Sequence, residues 1–159
     1  MSGQILRRGL FTDNLLAHVA TSFAATPVLL GDGEAPSAGG WVGQQPGVGA
    51  FMPYLILSTG PAAHNLTETI RGKDTSWRLT YGLRGVGANR QQADYACDVA
   101  RPIMSNLQHF TTPVGVANRV YKVTKSEYSS LGSLNRNDNT DPPLWDCVDN
   151  LEIWLDLGP

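Results

Sequence analysis

A chain of 159 residues with 12 basic and 14 acidic side chains carries a net charge of −2, and no run of like charges forms the footprint that nucleic acid or an anionic membrane surface selects. The longest nearly uninterrupted apolar run, Phe51 to Leu57, is far too short to span a bilayer. Charged residues make up 16% of the chain, below the usual ~25%, a balance that suits either a surface partly covered by other protein or a weakly charged soluble monomer.

At this length a single domain spanning 1–159 is expected, burying roughly 70% of its unfolded surface. The first element is an amphipathic helix over about Leu10 to Ala25. Phe11, Leu15, Val19 and Phe23 recur every four residues there, and Pro27 ends it. Val28-Leu29-Leu30 can form a short strand. Residues 31–50 hold seven glycines and two prolines, a composition that predicts a long mobile loop. Tyr54-Leu55-Ile56-Leu57 is apolar on both faces, as in a strand central in its sheet or covered by a neighbouring subunit. Residues 60–74 return to polar loop character, and the acceptor pattern at Asn65-Leu66-Thr67 is read as chance.

The organising stretch runs from Trp77 to Leu107. Trp77, Leu79, Tyr81 and Leu83 alternate with Arg78, Thr80, Gly82 and Arg84, the period of two of a half-buried strand. Val86 falls out of register, and the glycines at 82, 85 and 87 tolerate the angles of a bulge, so the strand is expected to bend or twist before it ends. Asn89 is placed to cap the next helix, with Gln92 reaching back as in a capping box. From about Arg90, Ala93, Ala96, Cys97, Ala100, Ile103, Met104 and Leu107 form one apolar stripe. Its small first half lets the helix lie close to a sheet, and Pro102 predicts a kink, not a stop.

A strand from Arg119 to Lys125, or on to Leu131, carries Val120, Tyr121 and Val123, and the exposed loop 132–143 follows. The final strand, Trp145 to Leu157, aligns Trp145, Cys147, Leu151, Ile153, Leu155 and Leu157 on one face, with Asp149 as its polar intruder. This order of helix, strands, helix and strands lacks a repeated βαβ unit. It predicts an α+β fold, a mostly antiparallel sheet with two helices on one face.

Little in the chain demands chemistry. Cys97 and Cys147 sit on inward faces as small apolar residues and make no disulfide framework. Asp13, Asn14 and His18 interrupt the apolar region that an export signal would need after Arg7-Arg8, so an intracellular origin is expected. His18, His64 and His109 lie on separate elements without a second ligand at metal-binding spacing. Asp94 and Asp98 pair with Arg90 and Arg101 along one helix face more simply than they serve as acid and base. Catalytic, cofactor-binding and metal-binding residues are therefore all expected to be absent. The alternative is a nucleotide- or small-ligand-binding enzyme using the Gly85–Arg90 turn, since helix N-termini and glycine turns bind phosphates. The third glycine of that pattern is Arg90, and the ribose-binding unit that should follow is missing. A nucleic-acid module is disfavoured by the acidic balance.

Three segments together form a recognisable series: Phe51-Met52-Pro53-Tyr54-Leu55-Ile56-Leu57; Trp77-Arg78-Leu79-Thr80-Tyr81 with Val86-Gly87-Ala88-Asn89-Arg90-Gln91-Gln92-Ala93-Asp94; and Asp141-Pro142-Pro143-Leu144-Trp145 before a long strand. In order and spacing, over about residues 10–157, the chain resembles the tail terminator proteins of long, non-contractile-tailed phages of actinobacteria. The resemblance implies a structural virion protein made in the host cytoplasm, without cofactor or catalysis, that forms a sixfold ring on the tail tube. Such a ring ends tube polymerisation and joins the tail to the neck proteins of the head. DNA would pass only through its lumen, and no membrane would be met. The alternative within the same resemblance is another neck or head-completion protein. Candidate contact residues are Trp41, Arg84, Arg90, Asp94, Arg136 and Asp138. Loops 31–50 and 132–143 are expected to emerge at the rims and to order on assembly, with Trp41 as an anchor.

Overall fold

The computed structural model describes residues 7–43, 45–64, 76–108, 110–113 and 120–158. Helix α1 spans Arg8–Ala24 and buries Phe11, Leu15, Val19 and Phe23, as its four-residue spacing requires. It ends where the Thr26 hydroxyl donates to the Phe23 carbonyl at 2.8 Å, just before Pro27. Strand β1 (Leu29–Asp32) follows, then β2 (Gly40–Trp41), β3 (Phe51–Met52), β4 (Tyr54–His64) and β5 (Ser76–Gly87). Helix α2 spans Arg90–Ser105, followed by β6 (Thr111–Pro113), β7 (Val120–Ser130), β8 (Asn135–Asn137) and β9 (Leu144–Gly158).

The main sheet runs β1-β4-β5-β9-β7-β6, with β8 paired to the start of β9. The pairings are antiparallel except β1 with β4, which is parallel. The fold is α+β, and its sheet is mixed at that one seam. A short return from α1 lays β1 alongside β4 instead of reversing into a hairpin. Both helices cover the same face, and one core joins Phe11, Leu15, Val19 and Phe23 of α1, Ala96, Ala100 and Met104 of α2, and the inward residues of β4, β5, β7 and β9.

The phase of α2 agrees with the apolar stripe: Ala93, Ala96, Cys97, Ala100 and Met104 are buried, Leu107 is buried just beyond the helix, and the helix continues through Pro102. Its N-terminus is capped reciprocally. Gln92 N–H donates to Asn89 Oδ1 at 2.9 Å, and Ala88 N–H donates to Gln92 Oε1 at 2.9 Å.

No bulge interrupts β5 against β9. Its ladder with β9 runs unbroken from Ser76↔Asp156 to Gly87↔Trp145. The glycines there provide clearance. A Cβ at Gly85 would lie 2.7 Å from Cys97 Sγ, and one at Gly87 would lie 2.5 Å from the backbone nitrogen of Ala93. The helix can rest on the strand because those two positions are bare. The irregularity lies in β4 instead, between Thr59 and Ala62. Arg8 Nη1 donates to the Gly60 carbonyl at that break at 2.5 Å, tying the start of α1 to the sheet.

Two loop expectations are also corrected. Within 31–50, β2 pairs with β3 as Gly40↔Met52 and Trp41↔Phe51, and Gly43, Gly47 and Gly49 adopt positive φ to close the connection. Within 132–143, β8 adds three residues to the sheet by pairing Asn135–Asn137 with β9. Such short strands leave too few residues for an alternating pattern. The acceptor pattern at 65–67, and His109, lie outside the described residues.

Candidate functional site

Among the described residues, cover over the sheet face away from the helices lies at one end. Gly39 packs so closely on Tyr54 that a Cβ there would lie 2.9 Å from its ring. Trp41 meets Phe51 edge-on at 5.2 Å between ring centroids, and Phe51 stacks on Tyr54 at 6.2 Å. The two glycine- and proline-rich loops also approach each other, since a Cβ at Gly47 would lie 3.3 Å from Pro142. The subunit's own β2–β3 hairpin thus supplies outer cover over Tyr54, at the start of the doubly apolar strand.

Beside the hairpin is a small recess of about 180 Å³ lined by Tyr54, Ile56, Arg84, Asn137, Thr140 and Asp146, among others. Arg84 donates to Asp146 Oδ2 from Nε at 2.9 Å and from Nη2 as well. Burial raises the Tyr54 phenol above its ordinary pKa, opposed by the Arg84 charge. The outer face of β5 and β9 farther along stays open. Arg78, Val148 and Asn150 are exposed and Trp154 is half-buried, with Lys125 Nζ over the Trp154 ring at 4.7 Å and bonded to Glu127 at 2.8 Å.

The six candidate contact residues fall on different surfaces. Trp41 and Arg84 belong to the outer-face end just described, and both are half-buried. Arg136 and Asp138 are exposed and form an ion pair with each other at 2.7 Å, next to Asn137 of the recess. Arg90 and Asp94 are exposed on the first turns of α2, across the sheet from Trp41 and Arg84. The structure therefore brings Trp41 and Arg84 to one end of the outer face, turns Arg136, opposite Trp145 in the register, to the other face together with its partner Asp138, and leaves Arg90 and Asp94 on the helix layer. Sequence reading missed Tyr54 and Asp146 as parts of this surface, because their company is set by the register Tyr54↔Val86↔Asp146 across three strands.

A second cluster lies under α2. Asp149 is 1% exposed. Its Oδ2 accepts from Arg101 Nε at 2.9 Å, and its Oδ1 accepts from Gly132 N–H at 2.9 Å. The intruder in the apolar face of β9 thus serves the point where β9 exchanges one neighbour for another. Gly132 lies between β7 and β8, and a Cβ there would stand 2.1 Å from the Val148 carbonyl oxygen. Arg101 also bonds Asp98 at 2.5 Å, so the surface pairing read along the helix is half of its engagement. The hydrogen bond to Asp149 strengthens the hold of Arg101 on its proton.

Cys97, Cys147 and Asp149 hold one potential ligand atom each within 4.8 Å of one another. Their atoms are otherwise engaged. Burial pushes both thiols up in pKa, Cys147 Sγ points at the Gly132 carbonyl at 3.4 Å and Asp149 Oδ1 at 3.6 Å, and the Arg101 guanidinium already fills the cationic place. Buried protonated thiols are poor metal ligands and poor nucleophiles. At the Gly85–Arg90 turn α2 fills the clearance of both glycines, Gln92 Oε1 accepts from Ala88 N–H, and Asn89 Oδ1 accepts from Gln92 N–H.

Among the described residues no helix is long and apolar enough to cross a membrane. Comparison with protein-family models and with curated proteins finds no significant match to this chain.

Proposed function

We propose that the chain is a non-catalytic structural subunit that forms a ring on a phage tail tube, ends tube growth and joins the tail to the neck, as the resemblance to tail terminator proteins implies. One observation carries the reading. The three segments that bear the resemblance, distant in sequence, meet at one corner of the sheet: Tyr54 is opposite Val86, Val86 is opposite Asp146, and Gly87 is opposite Trp145. The Asn89 cap of α2 follows directly from that corner. Residues that share one surface form a unit on which a neighbour can act, whereas unrelated chance matches would scatter.

The character of the surface supports the same reading. The outer sheet face mixes exposed Val148 with half-buried Trp154 and with charged groups such as Arg78, a composition suited to contacts between proteins more than to a closed ligand site. The partners in this proposal are further copies of the chain, the tube protein and the neck proteins. Deleting the gene from its phage should give unjoined heads together with tails of abnormal length. Normal virions from the deletion strain would end the proposal.

A further inference from the structure

The recess beside the β2–β3 hairpin, about 180 Å³ in volume, has a preformed outline. Its rim is the turn from Asn137 to Leu144, which three bonds close. Asn139 N–H donates to Asn137 Oδ1 at 3.0 Å, the Thr140 hydroxyl donates to the Asn137 carbonyl at 3.1 Å, and Leu144 N–H donates to Thr140 Oγ1 at 3.0 Å. Ile56, Val86 and Leu144 line the recess with apolar surface, whereas Tyr54, Arg84 and Asp146 line it with polar groups. A cavity shaped in advance spends little of its binding energy on ordering.

The polar side is neutral as a whole yet keeps hydrogen-bonding capacity. Arg84 Nε and Nη2 both donate to Asp146 Oδ2, so the two charges offset each other, while Arg84 Nη1 and Asp146 Oδ1 have no partner among the described residues. Neither side chain is fully buried, and a visiting group can reach both. An anion entering here meets the Asp146 carboxylate and a cation meets the Arg84 guanidinium, each an unfavourable juxtaposition of like charges. A carboxamide avoids both, because it offers an acceptor oxygen and two N–H donors without net charge. Sites that enclose a free drug-sized ligand run to ~300–1,000 Å³, so a recess of this volume suits a single side chain carried in by another protein.

We infer that the recess takes the carboxamide of a glutamine or asparagine side chain presented by a partner protein. The oxygen accepts from Arg84 Nη1, an N–H donates to Asp146 Oδ1, and the methylenes lie against Ile56, Val86 and Leu144. This site goes beyond the ring reading and does not depend on it.

Titration of the isotope-labelled chain with capped glycine tripeptides tests the site, the central residue being glutamine, asparagine, glutamate, lysine or alanine. Nuclear magnetic resonance would follow Arg84 Nε–H, Thr140 N–H and the Val86 methyl groups. The glutamine or the asparagine peptide should shift these signals along a saturable curve, at an affinity about tenfold or more above the other three, the discrimination that a hydrogen bond to a charged group supplies. Arg84→Met, which removes the donor, and Ile56→Phe, which fills the recess, should each abolish the shift while circular dichroism matches the parent. No saturable shift with either carboxamide peptide, or an equal response to the glutamate, lysine or alanine peptide, would overturn the site. So would a response that survives in Arg84→Met, even if Ile56→Phe fails to fold. Because the peptides probe the chain by itself, any of these failures leaves the ring reading intact.

Discussion

Arg101 of α2 and Asp149 of β9, 48 residues apart, form an ion pair with Nε 2.9 Å from Oδ2. The carboxylate is 1% exposed and the arginine side chain 25%, so the partners do not lose equally when separated. Asp149 left alone is a buried charge, whereas Arg101 left alone can turn toward water and still bonds Asp98. Arg101→Met should therefore lower unfolding free energy by about 3–5 kcal/mol, and Asp149→Asn, which keeps an oxygen for Gly132 N–H, by clearly less. Urea denaturation of both variants measures the difference. A larger loss from Asp149→Asn would show that the loss is not set by which partner is left as a buried charge.

The contact between α2 and β5 depends on missing side chains. Gly87→Ala puts a Cβ against backbone, which cannot swing aside as a flexible side chain would. Ala100→Leu enlarges a residue that is 1% exposed in the same interface. Overpacking of this kind costs about 1–3 kcal/mol, and both variants should melt well below the parent. Gln91→Leu, on the exposed side of α2, should leave the melting temperature nearly unchanged. A tolerant Gly87→Ala would mean that the helix can rise from the sheet without loss.

How much of this was legible depended on range. The stripe Ala93–Leu107 set the helical phase, and the Asn89–Gln92 cap set its start, because both are patterns within a few residues. Asp149 stood out as an intruder, yet its service to Gly132 and Arg101 arises only when distant elements meet. The glycines at 85 and 87 were visible, but a sequence does not distinguish a glycine needed for its φ from one needed for clearance. Strands as short as Gly40–Trp41 and Asn135–Asn137 carry no alternation to detect. The six candidate contacts divided for the same reason, since sheet register, not chain proximity, decides which of them share a face.

Trp41 is the clearest case of a loop residue whose role the pairing revises. Sequence composition made it an anchor for a neighbour, with little effect on the subunit itself. Its half-buried ring instead packs on Phe51 beside Tyr54, and aromatic pairs contribute about 0.5–1.5 kcal/mol beyond their buried area. Trp41→Ala should therefore cost about 1 kcal/mol or somewhat more. It should also speed hydrogen exchange at Val42, whose N–H bonds the Ala50 carbonyl at 2.8 Å. Unchanged exchange at Val42 in the variant would show that the hairpin holds without its aromatic contact, returning Trp41 to the role of an anchor.

Alkaline pH should unfold the protein in a specific window. Tyr81 is fully buried, and burial pushes its phenol from 10.0 up to about 12. The Thr12 hydroxyl donates to the Arg8 carbonyl at 2.9 Å. Having spent its one proton there, it accepts from Tyr81 Oη across 2.9 Å, a bond that a phenolate could not donate. Burial also raises Tyr128, Cys97 and Cys147. In each case the folded state keeps a proton that the unfolded chain has already released, so stability falls as pH rises. The Tyr81 contribution is present below pH 10 and is lost by about pH 12, amounting to on the order of 2 kcal/mol. Tyr81→Phe should start about 1 kcal/mol less stable at neutral pH, for want of the hydrogen bond to Thr12, and then decline less steeply from pH 10 to 12. Chemical denaturation at stepped pH reads both features. Parallel declines for the parent and Tyr81→Phe would show that the phenol ionises in the folded protein as readily as in the unfolded chain, and that this corner of the core admits water.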